Sequence, residues 1–298
     1  LVIALLVLLV FLKPFENKDI LFTILAGLVI FAFGVWDDAK GLSAPVKFAG
    51  QLIASLILIF SGIYIRVFES LGFPFGSHQM LNVWLDWGLT LFWLIGITNA
   101  FNLVDSMDGL AVGLSAWAFG FFMLATFDSG QTGLSAFSAV MLGACISLYF
   151  YNLSPARLFL GDSGAQLLGF ILATIAILYS PKGASAEQAS SWFVPILLVG
   201  VPIFDTTLVT LSRIRRRLPF YKGRRDHTYH RLTHWGVSPA RAVMAMHISA
   251  LLLECTAFIA FSLTPLWANL LFGAILVLAG IAFAILDSRK RWKVEDGI

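Results

Sequence analysis

The chain has 298 residues, 59% of them hydrophobic and only 12% charged, with a mean hydropathy of +0.86. Soluble domains carry about a quarter charged residues and under half apolar ones, so a water-soluble domain is excluded. A net charge of +3 is too small to call for a nucleic-acid partner, and none is expected. Runs near twenty apolar residues, the length that crosses a ~30 Å hydrocarbon layer, recur along the chain. In chain order they fall near 1–12 (partial), 20–36, 47–65, 83–101, 110–127, 134–152, 164–180, 191–211, 243–262 and 266–286. The fold class is therefore all-α, a polytopic transmembrane helix bundle of about ten spans. Residues 1–298 form one integral-membrane domain, and 212–242 is a basic and histidine-rich loop within it. The opening run is short for a span and no small-residue cleavage site follows, so it reads as part of a helix rather than a signal peptide. Cys145 and Cys255 both lie in apolar runs and offer neither a disulfide framework nor metal-ligand spacing.

Orientation follows from the basic residues. With the Asp37-Asp38 end placed in the cytoplasm and the spans alternating, all but four of the 20 basic residues fall on the cytoplasmic side. The exceptions are Lys13, Lys18, Arg66 and Lys182. The acids divide as unevenly. Asp37, Asp38, Asp105, Asp108, Asp162, Asp205 and Asp226 all sit at or near cytoplasmic ends of spans. A carboxylate at membrane depth costs roughly 2.5–3.5 kcal/mol and persists mainly where it serves a function. Any one of these acids alone reads more simply as a helix cap; several connections contributing them to one face do not.

Four segments carry the polar groups. In 34–51, GVWDDAKGLSAPVKFAGQ, the adjacent carboxylates Asp37 and Asp38 repel unless a cation or proton intervenes, and Lys40 and Lys47 are close enough in sequence to meet a phosphate. In 99–111, NAFNLVDSMDGLA, Asn99, Asn102, Asp105 and Asp108 recur every three residues. All four cannot share one helical face, so the segment is expected to leave the helix with Gly109 supplying the turn. In 157–170, RLFLGDSGAQLLGF, Asp162 opens a span between two glycines, either as its N-cap or as a ligand group at an anion-friendly helix start. In 212–241, His227, His230 and His234 accompany nine basic residues; no Cys or Glu completes a zinc site, and imidazoles with arginine forks suit a pyrophosphate. Arg213–Arg217 alone reads as a positive-inside anchor. His247 and Glu254 lie seven apart on one apolar helix, placed to pair with each other, while Glu69, His78 and Asp86 lie on the outer side, away from the chemistry. Asp205, in VPIFDTT, is either a wall of the site or a helix–helix contact.

Taken in order, these segments resemble the polyprenyl-phosphate N-acetylhexosamine-1-phosphate transferase superfamily, glycosyltransferase family 4 of bacteria. The resemblance rests on DDxxxL (37–42), NAxNLxDxxDGLA (99–111), F-x-GDSG (159–164) and a histidine loop ending HRL (227–232), and it spans residues 34 to 232. The wording is most similar to the branch that starts O-antigen or teichoic-acid-type glycans. Where that loop commonly reads HxHHRL, this chain has HTYHRL, with Tyr229 at the middle histidine. The first family helix has no counterpart, so an eleventh span is expected before Leu1.

The resemblance implies transfer of a hexosamine-1-phosphate, GlcNAc-1-phosphate first among them, from a UDP-amino sugar to undecaprenyl phosphate, releasing UMP at the cytoplasmic face of the bacterial inner membrane. It assigns Mg²⁺, or Mn²⁺ in its place, to Asp162 with Asn102, and makes Asp37, Asp38, Asp162, His227 and His230 catalytic. Lys40, Lys47, Asn99, Asn102, Asp105, Asp108 and Arg231 become substrate-binding, and a homodimer is implied. The peptidoglycan branch, which takes UDP-muramoyl-pentapeptide, is the alternative within the family. From another class, a secondary transporter or lipid flippase predicts acids near mid-membrane on broken helices in two related halves, which the sequence does not show.

Overall fold

The computed structural model describes residues 17–71, 79–181, 192–219 and 225–288. Among them every regular element is a helix: α1 (Lys18–Lys40), α2 (Ala44–Phe60), α3 (Phe68–Leu71), α4 (Gln79–Val104), α5 (Leu110–Asp128), α6 (Thr132–Asn152), α7 (Gly161–Leu178), α8 (Val194–Leu198), α9 (Gly200–Arg215), α10 (Thr228–His234), α11 (Pro239–Ala260) and α12 (Pro265–Leu286). In hydrocarbon a helix satisfies its backbone groups internally, so apolar runs of this length can adopt little else.

Seven helices, α1, α4, α5, α6, α7, α11 and α12, are long and apolar enough to cross a membrane, which makes this a multi-pass membrane protein. Large apolar side chains such as Phe92, Phe127, Phe150 and Leu278 remain exposed on the outside of the bundle, as lipid contact requires. Two expected spans differ. The run at 47–65 becomes the shorter α2, which starts earlier because Ser43 and Pro45 open it. The run at 191–211 is not one helix: Pro195, Gly200 and Pro202 break it into α8 and α9, which meet at Val199. The partial span at 1–12 lies outside the described residues.

α7 is the centre of the bundle. It packs most extensively against α1 and α4, while α2 fills the angle between those two. Glycine makes the α1–α7 approach possible: a Cβ at Gly34 would collide with the Ser163 backbone. On the other side, a Cβ at Gly169 would lie 3.0 Å from Ile97 O of α4. These two contacts bring the ends of α1, α4 and α7 to one place at the face that carries the acids.

Candidate active site

The close approach at Gly34 sets Asp37 and Asp38, one turn on, against the first turn of α7. The Asp38 carboxylate accepts from the Asp162 and Ser163 amides at 2.8 and 3.1 Å. It therefore caps α7 from another helix, satisfying amides that no residue of the preceding loop reaches. Asp162 is not the N-cap of its helix: it is the second helical residue, and its side chain is released for other use. Gly161 leads into the helix at φ 68°, and a Cβ there would meet the Asp38 carboxylate at 2.8 Å.

Asp37 is buried and accepts from the Leu42 amide at 2.6 Å, closing the turn after α1. Its other oxygen pairs with Lys47 of α2, whose Nζ also reaches Asp162 Oδ2 at 2.8 Å. Carboxylates from two helices thus converge on a single cation. Asp105 stands just past α4, and burial, followed by the nearby carboxylates of Asp162 and Asp38, pushes its pKa up to about 7. Lys40, by contrast, is exposed at the last residue of α1 and is not drawn into this cluster.

The expected exit from the helix after Val104 is present, with Gly109 at φ 77° starting α5. It divides the four polar residues of that segment. Asn102 lies in the last turn of α4, one turn before Asp105. Asn99 is committed to other amides: its Nδ2 donates to Gln51 Oε1 and to Ile95 O, both at 2.8 Å. Asp108 accepts from the Ala156 amide at 3.0 Å and lines a cleft of about 640 Å³ between α5, α6 and α11, away from Lys47.

The histidine loop is held by a second set of acids. His227 Nδ1 faces Asp205 Oδ2 at 2.7 Å, and the Thr228 amide donates to Asp205 Oδ1 at 2.6 Å. With Nδ1–H given to the carboxylate, Nε2 is the nitrogen left for a substrate. His230, half-buried, has its pKa lowered to about 4 by burial first and then by the charges of His227 and Arg225. Tyr229 is fully buried against both imidazoles, parallel to His227 with ring centroids 5.6 Å apart and 4.3 Å from His230. Burial, then the carboxylates of Asp205, Asp105 and Asp226, push its phenol far above the ordinary range. Asp105 and the histidine loop therefore lie within electrostatic reach of each other.

Arg231 departs from the expected phosphate-holding role. It is fully buried and donates to Asp226 O at 2.8 Å and to Leu286 O and Asp287 Oδ1 at 3.2 Å, tying α10 to the end of α12. Arg213 is more than an anchor as well, making a buried two-pronged pair with Asp226 at 2.7 and 2.8 Å. Burial opposes ionisation of Asp226, but this pair outweighs it and holds the carboxyl below its usual range. Asp287 also gathers Arg215, Arg216 and Ser212. His247 and Glu254 do not bond to each other; the imidazole instead packs edge-on against Tyr149.

Among the described residues no three His, Cys, Asp or Glu side chains gather as a metal centre. The Asp162 carboxylate, already in contact with the Lys47 cation and one helix away from the amide of Asn102, nevertheless suits a hard divalent ion. Such an ion takes one or two carboxylates and completes its shell with substrate phosphates.

Comparison with known proteins agrees with this chemistry. A family model described as glycosyl transferase family 4 matches residues 20–180. The probable undecaprenyl-phosphate N-acetylglucosaminyl 1-phosphate transferase of Bacillus subtilis is 32% identical over 84% of this chain and 68% of its own length. The undecaprenyl-phosphate alpha-N-acetylglucosaminyl 1-phosphate transferase of Yersinia pestis is 29% identical over 90% of this chain and 73% of its own. A phospho-N-acetylmuramoyl-pentapeptide-transferase of Heliobacterium modesticaldum is 42% identical, but over only 46% of this chain and 43% of its own.

Proposed function

This chain belongs to glycosyl transferase family 4, and on that ground we propose that it transfers N-acetylglucosamine-1-phosphate from UDP-N-acetylglucosamine to undecaprenyl phosphate, releasing UMP. The observation that carries this reading is the meeting of Asp37 and Asp162 on Lys47, beside an α7 start capped by Asp38. Relatives named for GlcNAc-1-phosphate transfer match across most of the chain, whereas the pentapeptide-transferase match covers under half, which favours the first branch. The setting is the bacterial inner membrane with the site facing the cytoplasm. There the lipid phosphate and a soluble nucleotide can meet while the polyprenyl tail stays in the bilayer.

Phosphoryl transfer depends on positioning and charge neutralisation. In this reading an oxygen of the lipid phosphate attacks the phosphorus attached to the sugar, and the bond from that phosphorus to the bridging oxygen breaks, so UMP leaves with the electron pair. Asp38 fixes the start of α7, and Asp37, which meets the phosphate-holding Lys47, orients the lipid phosphate or takes its proton. Lys47 holds phosphate oxygens between the reactants. His227, with Nδ1 fixed by Asp205, and His230, neutral at physiological pH, offer ring nitrogens to the pyrophosphate. Asp162 and Asn102 would hold Mg²⁺, or Mn²⁺ in its place, and the ion would supply charge neutralisation of the pyrophosphate. Arg231 acts at one remove by fixing the loop that carries both histidines.

The test is to give the purified protein undecaprenyl phosphate, Mg²⁺ and a panel of UDP-sugars. UMP is expected with UDP-N-acetylglucosamine and not with UDP-muramoyl-pentapeptide. Absence of UMP with every UDP-N-acetylhexosamine overturns the reading. A phosphorylated enzyme formed from UDP-sugar without lipid would replace direct attack by a covalent route.

A further inference from the structure

One turn beneath the charged cluster, three amides close on one another. Gln51 follows Lys47 by four residues on α2, Gln166 follows Asp162 by four on α7, and Asn99 precedes Asn102 by three on α4. Gln51 Nε2 donates to Gln166 Oε1 at 2.9 Å and to Asn99 Oδ1 at 3.3 Å. Asn99 Nδ2 returns a bond to Gln51 Oε1 at 2.8 Å. Gln51 and Gln166 are 3% and 4% exposed, so neither has water as an alternative partner.

Apolar packing between helices is non-directional and tolerates small axial slips and rotations. A reciprocal amide pair does not, because a buried amide that loses its partner bears the full cost of its desolvation. Gln51 and Gln166 each stand one turn from a member of the charged pair Lys47 and Asp162, on the same helix, and Asn99 ties both to α4. A fixed height and rotation at the triad therefore becomes a fixed meeting point one turn above it.

We infer that Gln51, Asn99 and Gln166 form a positioning network that sets the register of α2, α4 and α7 so that Lys47 and Asp162 meet beside the end of α4. Asn99 acts here through its neighbours rather than on substrate, since both ends of its amide are taken within the protein. The inference rests on the phosphotransferase reading of the site above it.

The test is the double variant Gln51→Met/Gln166→Met, which keeps shape and volume, removes the directional bonds and leaves Asn99 its bond to Ile95. Melting curves and UMP release are measured beside the wild type, the latter also at a temperature well below the variant's melting onset. Under those fully folded conditions kcat is expected to fall about 10- to 100-fold, the scale of an ångström misplacement, with the KM for UDP-sugar within about threefold. A folded double variant with wild-type kcat overturns the network, as does a deficit that vanishes once the protein is kept cold enough to be folded. No UMP from the wild type itself would instead take down the transferase reading beneath it.

Discussion

At the outer end of the bundle Asp86 is as buried as any acid at the inner end, yet its two oxygens are completely spoken for. It accepts the Val67, Phe68 and Glu69 amides, each at 2.9 Å, and so caps the short helix α3. At the inner end Asp38 does a comparable job for α7, but Asp37, Asp105 and Asp162 crowd beside it with Lys47 as the cation that reaches Asp37 and Asp162. What separates these acids is the balance of donors to carboxylates: the outer acid is matched by backbone N–H groups, and the inner ones carry more negative charge than the local structure needs. Surplus charge held at one point is what a metal-bound pyrophosphate can use, and folding alone would have no reason to keep it.

Among changes that leave every inner carboxylate in place, the largest expected effect comes from separating the inner helices. Gly34→Val drives side-chain atoms into the Ser163 backbone, and UMP release should fall about 100-fold or more, because the reacting groups no longer meet. Gly143→Ala, on a face with open space around it, should leave activity unchanged. Next, Asp205→Asn presents an amide to His227 Nδ1 and disturbs its tautomer; kcat should drop about 10²-fold with little change in melting temperature. A drop in melting temperature without loss of kcat would make Asp205 a packing residue only.

At the outer end the pattern should invert. Asp86→Ala strands three amides, and at about 1–3 kcal/mol should lower Tm by several degrees while kcat, measured on folded protein, stays near wild type. The smallest effect concerns Asp105. Its pKa is raised in the folded protein, so the folded state binds the proton more tightly, and its contribution to stability is lost as pH rises towards about 7. In metal-free protein Asp105→Asn should raise Tm by about 1–2 °C at pH 8, the shift that about 1 kcal/mol gives at this size, and by nothing measurable near pH 4. Equal shifts at both pH values would remove the surplus-charge explanation for this residue.

Much of this was legible in the sequence because membrane physics leaves few options. Apolar length gave the helices. The 191–211 run was read as one span because its hydropathy is continuous; the backbone consequences of Pro195, Gly200 and Pro202 outweighed it. Gathering Asp37 and Asp162 at one face followed from alternation of the spans, but the partners did not. The Asp38 cap crosses 124 residues of sequence, and Asp287, which ties down Arg215, Arg216 and Arg231, sits at the far end of the chain. Arg231 looked like a phosphate ligand because charge and motif are visible in a sequence while burial is not. The one available signal for the amide triad was polar residues placed a turn inside the apolar part of three helices.

The contrast between the two ends comes down to one assay: UMP released from UDP-N-acetylglucosamine, undecaprenyl phosphate and Mg²⁺ by wild type, Asp86→Ala and Asp162→Asn, all folded at the assay temperature. Surplus inner carboxylates predict release by the first two proteins and loss of about 10³-fold or more in the third, whose change removes one charge and almost no volume. Equal release by all three, or loss in Asp86→Ala alone, would contradict it.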